Sequence, residues 1–290
     1  MKRIALKIDA DTCLGTLTGV PALTTLLRKH EAQGSFFFSL GPDSSGRQNT
    51  TDSLKRFYGL KTRLYGRLLP SPDIGKRCRD ILCQTHEAGF ETGIHAWNRV
   101  AWEERILDAD NAWSKTQIEQ AEKRFSELLS IRANAHAAAG WRSNRHALRL
   151  TQRLGFSYAS DCRGSQPFIP VIDGEIVACP QIPTTLPTFD EILTLESSFT
   201  PEAVAEHILK LSIVIPGDHV FNLRAELEGM LFTSAFEHLL NSWKEAGFSL
   251  VALRDLRSSL EPAELPRHEV RFEEIPGRPG KRMIQGPSFP

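Results

Sequence analysis

Two aspartates that stand two positions apart end the first apolar segment of the chain. Ile4–Asp9 is typical of a buried β-strand, and it ends in Asp9-Ala10-Asp11. Side chains two residues apart on an extended segment point the same way, so both carboxylates can face one pocket. Such a pair can hold a metal ion and deprotonate a water molecule for hydrolysis. A solvated pair at a strand end, or a helix cap, would have the same spacing.

Other polar side chains also follow segments that are predicted to be strands. They are His95, Arg142, Asp161 and Arg224. Because the carboxyl ends of parallel strands meet at one edge of a sheet, we expect these side chains to converge with the two aspartates. Each of them singly is compatible with an ordinary packing or hydrogen-bonding role. Together they predict an active site.

The elements that must position these residues alternate regularly between strand and helix. The apolar pattern predicts strands near residues 4–9, 35–40, 91–96, 136–141, 156–161, 220–225 and 248–253. Helical periodicity separates them, for example at Val20, Leu23, Leu26 and Leu27. This order favours parallel pairing through right-handed crossovers. About seven strands suggest a barrel-like sheet, and an open doubly wound sheet would fit the periodicity almost as well.

Several motifs together resemble one known family. They are I-D-A-D-T at 8–12, FFFSLGPD at 36–43, E-T-G-I-H-A-W at 91–97, A-A-A-G-W-R at 137–142, S-D-C-R-G at 160–164, PTFDE at 187–191 and A-E-L-E-G at 225–229. Over residues 3–257 the chain resembles the NodB-homology polysaccharide deacetylases. Within them it is most similar to deformylases of undecaprenyl-phosphate-linked 4-deoxy-4-formamido-L-arabinose. The resemblance implies an α/β fold, a distorted (β/α)7-type barrel forming a single domain over residues 1–260.

The resemblance also implies an activity and a cofactor. The activity is hydrolysis of the N-formyl group, for lipid A modification with aminoarabinose and resistance to cationic peptides such as polymyxin. The cofactor is a divalent metal ion, namely zinc, cobalt or manganese. By position, Asp9 would be the base, and Asp11 and His95 would be metal ligands. Arg142 would orient the base, and Asp161 would support the catalytic acid.

Two positions depart from the family pattern. Arg99 stands where the family's metal motif has its second histidine, and Arg224 stands where the family has its acid histidine. A guanidinium stays protonated at neutral pH, so it can neither coordinate a cation nor pass a proton. Arg224 could instead pair with Asp161, and Arg99 with Asp9 or Asp11. The alternative function is therefore a catalytically impaired relative that binds the lipid-linked sugar without turnover.

Other histidines are not expected to fill these roles. His136 and His219 fall toward the amino ends of their predicted strands, so plain core or surface roles are predicted for both. A third, weaker hypothesis is a deacylase of another amide-bearing sugar or polymer.

Composition limits the partners and the compartment. Lysine plus arginine equal aspartate plus glutamate at 35 each, so no overall positive field predicts nucleic-acid binding. The five cysteines form no C-x-x-C pair, which argues against a disulfide framework or a zinc ribbon. No signal-peptide pattern opens the sequence, so a cytoplasmic location is expected.

Two segments interrupt the strand–helix rhythm. Residues 43–73 are an insertion in which no acidic residue occurs between Asp52 and Asp73. Basic residues there alternate with Leu, Phe and Tyr at helical spacing, which predicts one amphipathic helix at the anionic surface of the inner membrane. An ordinary surface helix would have the same pattern. Residues 261–290 contain six prolines and look like a loosely packed tail.

Overall fold

The computed structural model describes residues 2–48 and 53–290, and only the backbone of Ser53 and Leu54. The strands are β1 Arg3–Ala10, β2 Ser35–Ser39, β3 Glu91–Ala96, β4 Ala135–His136, β5 Tyr158–Ala159, β6 Ile169–Ile172, β7 Glu175–Ile176, β8 His219–Arg224, β9 Ser249–Val251, β10 Arg267–Ile275 and β11 Arg278–Ser288. The α-helices are α1 Val20–Lys29, α2 Leu60–Leu64, α3 Ile74–Arg77, α4 Arg79–Glu87, α5 Arg99–Arg105, α6 Asn111–Leu129, α7 Arg145–Arg153, α8 Phe189–Leu195, α9 Pro201–Val214, α10 Thr233–Glu245 and α11 Leu253–Ser258.

Seven strands form one parallel sheet. Its order is β5-β4-β3-β2-β1-β8, and β9 pairs with the first half of β1. Helices follow the strands in the crossover positions, as the alternating sequence pattern predicts. The predicted α/β fold with a barrel-like parallel sheet of seven strands is therefore confirmed.

The pairing of β1 with its neighbours positions the predicted site residues. Asp9 is opposite Phe37 on one side and opposite Arg224 on the other. The register between β2 and β3 shifts after Phe38, next to His95. Such a bulge redirects the side chains near it. The carboxyl ends of β1, β3 and β8 are thereby brought to the same edge of the sheet.

Both faces of β1 are buried. Apart from its first residue, every residue of the strand is enclosed, including the charged Lys7. The Lys7 ammonium donates to the carbonyl of Ser160 at 2.7 Å and lies near the rings of Phe37 and Trp141. Burial lowers the pKa of Lys7, although Asp9 and Asp161 oppose that shift. The inside of the sheet is therefore a polar interior that hydrogen bonds and charges stabilise.

The expectation of a loosely packed tail at 261–290 is wrong. β10 and β11 form an antiparallel hairpin, and β10 adds to β6 in a second sheet of order β11-β10-β6-β7. Pro276 lies in the turn of this hairpin and Pro279 and Pro287 lie in β11, an edge strand, where the missing N–H groups are tolerated. The hairpin also sends Arg278 into the core, where it pairs with Asp190 at 2.6 Å.

The insertion is not one amphipathic helix. Its described part contains a 3₁₀ turn at Ser53–Phe57 and the short α2, separated at Gly59. Part of the predicted apolar stripe faces inward, since Tyr58 is buried against Leu227. Leu60 and Leu68 remain 75% exposed. Asp52, where the acid-free stretch begins, lies outside the described residues.

Candidate active site

An imidazole lies between the two aspartates of the first strand. His95 Nδ1 is 3.6 Å from Asp9 Oδ1, and His95 Nε2 is 3.0 Å from Asp11 Oδ1. The second contact is close but is not aligned as a hydrogen bond. Asp9 is held by Asn222, whose amide donates to Oδ2 at 3.0 Å. These side chains are at most 3% exposed, so the predicted convergence of Asp9, Asp11 and His95 is present in a closed interior.

Both arginines that depart from the family pattern reach the same carboxylate. The Arg224 guanidinium donates to Asp11 Oδ2. Arg99 Nε lies 3.9 Å from Asp11 Oδ1, and the other end of Arg99 donates to Glu103 Oε1 at 2.7 Å and to Gln48 Oε1 at 2.7 Å. The predicted pairing of Arg99 with an aspartate is present. The predicted pairing of Arg224 with Asp161 is not, because Arg224 pairs with Asp11.

The charges in this cluster shift the pKa values of its members. Burial alone would raise the pKa of Asp11, but Arg224 and Arg99 hold it well below its usual range. Burial would lower the pKa of His95, but Asp9 and Asp11 outweigh it and raise the pKa above the usual value. The cluster therefore favours an ionised Asp11 beside a protonated imidazole.

Asp161 has a different partner from the one expected. It accepts hydrogen bonds from His136 Nδ1 at 2.8 Å, from the Ala138 amide at 2.7 Å and from the Gln181 side chain. Burial would raise the pKa of Asp161, but His136, the Ala138 amide and Gln181 together lower it below its usual value. His136 is thus a buried partner of Asp161, which agrees with the core role predicted for it. His219 likewise has a core role, next to the carbonyls of Ser212 and Ile215.

Arg142 also departs from its predicted role. Its guanidinium donates to the carbonyl oxygens of Glu103 and Pro279 rather than to Asp9. Gly280, at φ +80°, allows the C-terminal hairpin to approach this guanidinium, since a Cβ there would lie 2.7 Å from Nη2. Arg142 therefore joins α5 to the hairpin at the wall of the site.

Comparison with known proteins gives the family. A protein of Shewanella sediminis, named "probable 4-deoxy-4-formamido-L-arabinose-phosphoundecaprenol deformylase ArnD", is 34% identical over 290 residues, which cover 96% of this chain and 93% of the relative. A protein with the same name from Wigglesworthia glossinidia brevipalpis is 32% identical, over 92% of this chain and 96% of its own. The chain belongs to the ArnD deformylase family. No family model matches it.

A solved structure supports the fold of this ArnD relative. It is named "Crystal structure of putative polysaccharide deacetylase from Mycobacterium smegmatis", with a TM-score of 0.68 at 14% identity, covering 94% of both chains. At this identity the likeness concerns the fold alone. It agrees with the NodB-type architecture expected from the motifs.

The metal ion implied by the family resemblance does not fit the residues of this ArnD relative. No cluster of three or more His, Cys, Asp and Glu side chains suited to a metal ion occurs in residues 2–48 and 53–290. Asp11 and His95 supply two ligands where three protein ligands are usual for a catalytic zinc. One oxygen of Asp11 already accepts from Arg224, and the other faces Arg99. Two guanidiniums thus supply the positive charge beside Asp11.

The sequence alone did not indicate several residues of the site. Glu103 is buried and paired with Arg99, and its spacing of four residues on one helix was an available signal. Glu226 accepts from the amides of Asp11 and Thr12 and belongs to the A-E-L-E-G motif. Tyr58 and Gln48 come from the insertion, and nothing in their spacing connects them to the strand ends.

Proposed function

We propose that this protein hydrolyses the formamide of 4-deoxy-4-formamido-L-arabinose carried on undecaprenyl phosphate. The single observation that carries the proposal is the buried contact of His95 with Asp9 and Asp11 at the strand ends of an ArnD-family chain. Groups that can take up and release a proton are thereby gathered at one point. This is what amide hydrolysis requires.

The chemistry can be written with the residues of the chain. Asp9 takes a proton from a water molecule whose oxygen adds to the formyl carbon. The negative charge that develops on the formyl oxygen is stabilised by the positive groups beside Asp11. As the C–N bond breaks, the sugar nitrogen takes a proton from His95, and formic acid leaves and gives up its proton to water. Asp9 Oδ1 is 3.6 Å from His95 Nδ1, so the proton on Asp9 can replace the one that His95 has given.

The test is release of formate from a defined substrate. Purified protein would be incubated with the N-formylated lipid-linked sugar in detergent, and formate would be measured by proton NMR. We expect turnover in the wild type and a loss of about 100-fold or more in Asp9→Asn, as for removal of a general base. Glu269→Gln, on the exposed face of the hairpin, is the matched control. Binding of the sugar lipid without formate release would overturn the proposal and leave a binding protein instead.

We further propose that the protein works at the cytoplasmic face of the inner membrane, held by the insertion. Leu60 and Leu68 are exposed there, and Lys55, Arg56 and Lys61 lie close to Leu60 in the sequence. Each cation near an anionic surface contributes about 1 kcal/mol of attraction. A substrate on a lipid carrier would bring its sugar to this surface. Within the part of the chain that the structure describes, no helix is long and apolar enough to span a bilayer.

Sedimentation with liposomes tests the membrane proposal. We expect binding to vesicles that contain phosphatidylglycerol at low salt, and release when Lys55, Arg56 and Lys61 are all changed to Glu. A variant with Lys115, Lys123 and Arg132 changed to Glu has the same change of charge on and near α6 and should still sediment. Equal binding by both triple variants would contradict the proposal.

A further inference from the structure

The insertion contributes an aromatic side chain to the candidate active site. Tyr58 is 5% exposed, and its ring packs against Leu227, the residue after Glu226. Phe57 holds this segment in place through an edge contact with Phe232, with ring centroids 5.7 Å apart. The guanidinium carbon of Arg99 lies 5.9 Å from the centre of the Tyr58 ring. Tyr58 is therefore fixed between the insertion and the charged cluster.

The phenolic hydroxyl of Tyr58 is buried and has no hydrogen-bond partner among the residues that the structure describes. Burial raises the pKa of this hydroxyl well above its usual range, and the charges of Arg99, Asp11, Glu226 and Arg224 act on it more weakly. Buried hydroxyl groups are nearly always hydrogen-bonded in folded proteins, so an exception calls for an explanation. A ligand that accepts a hydrogen bond from the Tyr58 hydroxyl would explain why the hydroxyl has no partner in the protein.

The positions of the other hydrogen-bond donors indicate which atom of the ligand would accept the hydrogen bond from Tyr58. Arg224 Nη1 donates to Asp11, and the two terminal nitrogens of Arg99 donate to Glu103 and Gln48. Each of these three nitrogens already has an acceptor within the protein, whereas Arg224 Nε, like the Tyr58 hydroxyl, has none among the residues that the structure describes. The hydroxyl of Tyr58 is a neutral donor on a ring whose centre lies 5.9 Å from the guanidinium carbon of Arg99. An amide that reacts beside Asp9 and His95 places its carbonyl oxygen among these donors, and that oxygen gains negative charge during hydrolysis.

We propose that Tyr58 donates a hydrogen bond to the formyl oxygen of the substrate, stabilises the charge that develops there, and distinguishes the formamide from the free amine. This inference rests on the proposed deformylase function. The phenol keeps its proton throughout, so the bonds that form and break are those of the hydrolysis itself. Because the amine product lacks the carbonyl oxygen, it leaves the hydroxyl without an acceptor.

The experiment compares Tyr58→Phe with Tyr65→Phe. Both tyrosines are buried in the same insertion, and both changes keep the ring, so packing is matched. Turnover of a short-chain prenyl phosphate ester of 4-deoxy-4-formamido-L-arabinose would be measured, together with the affinities for this ester and for its 4-amino counterpart by calorimetry. For Tyr58→Phe we expect kcat about 100-fold lower, as for loss of one oxyanion donor. We also expect the preference for formamide over amine to fall about tenfold. Tyr65→Phe should match the wild type in both measurements.

The outcomes separate this inference from the proposed function. Unchanged kcat and unchanged preference in Tyr58→Phe would overturn the role of Tyr58 and leave the deformylase function standing. The wild type could show no turnover while Tyr58→Phe still loses the preference for the formamide. That result would overturn the deformylase function and support the hydrogen bond from Tyr58. A wild type that neither binds nor hydrolyses the ester would overturn both.

Discussion

Replacing the two arginines beside Asp11 with histidine should create a metal site in this protein. In the double variant Arg99→His, Arg224→His, the carboxylate of Asp11 loses both cationic neighbours, and the side chain at position 99 becomes a third ligand beside Asp11 and His95. The variant then has the ligand set that the family resemblance implies, namely Asp11, His95 and the new histidine at position 99 on α5. The wild type should bind divalent ions only weakly.

The magnitude follows from the distances in the cluster. Arg99 Nε lies 3.9 Å from Asp11 Oδ1, so a metal ion bound to that oxygen would sit about 4 Å from a full positive charge. A divalent ion and a unit charge at about 4 Å repel by about 8 kcal/mol at an effective dielectric constant near 20. If relaxation removes half of this, about 4 kcal/mol remains, which corresponds to about a thousandfold in affinity. The third ligand adds to that gain.

Competition with a zinc-buffering chelator would measure the affinity, and thermal unfolding would measure the coupling to stability. Without metal, the double variant leaves Asp11 buried without its ion pair, which should cost about 3–5 kcal/mol of stability. Zinc should raise its Tm and leave that of the wild type nearly unchanged. The double variant to lysine at the same positions keeps the charge and should not respond. Tight stoichiometric zinc in the wild type would refute the electrostatic reasoning.

Two further predictions concern the stability of the fold. Arg278→Met leaves Asp190 buried without its ion-pair partner, so the free energy of unfolding should fall by about 3–5 kcal/mol and Tm by about 5–8 °C. Arg271→Met, on the exposed side of the hairpin, should change little, and equal Tm values for the two variants would contradict the prediction. Burial raises the pKa of the Glu91 carboxyl, although the hydrogen bonds that it accepts oppose the shift. The protonated carboxyl therefore adds stability to the folded protein below its unfolded pKa of about 4.3. That stability is lost as the pH rises through the folded pKa. The free energy of unfolding in urea should therefore fall less for Glu91→Gln than for the wild type as the pH rises from about 4 to about 7. If it fell equally in both proteins, the raised pKa of Glu91 would be refuted.

The strand ends were predictable because the topology places them. A parallel sheet brings the carboxyl ends of its strands to one edge, whatever the details of packing, so Asp9, Asp11, His95 and Arg224 could be grouped from their positions. The register that sets Asp9 opposite Arg224 is consistent with that grouping. The family motifs added the same residues independently.

The hydrogen-bond and ion-pair partners of the site residues were not predictable, because these partners depend on the residue at which each strand ends. The alanine-rich segment was expected to continue as a strand to residue 141, but β4 ends at His136 and a 3₁₀ turn follows at Ala139–Trp141. His136 consequently faces Asp161 and takes the place expected for Arg224. The hairpin was missed for another reason, because proline count predicts an irregular chain unless the edge position of the strand is known.

The buried Arg278 of the C-terminal hairpin affects when the candidate site can form during synthesis of the chain. Arg163 and Arg278 both lie 5.0 Å from the ring of Trp141, and Gly277 passes so close to Glu191 that a Cβ would not fit. During synthesis Trp141 leaves the ribosome more than a hundred residues before Arg278 does. A domain folds as a unit, and β1 pairs with β8 and β9 from late in the chain. Asp9 and Asp11 are therefore synthesised early, but this wall of the candidate site can close only after the hairpin has emerged.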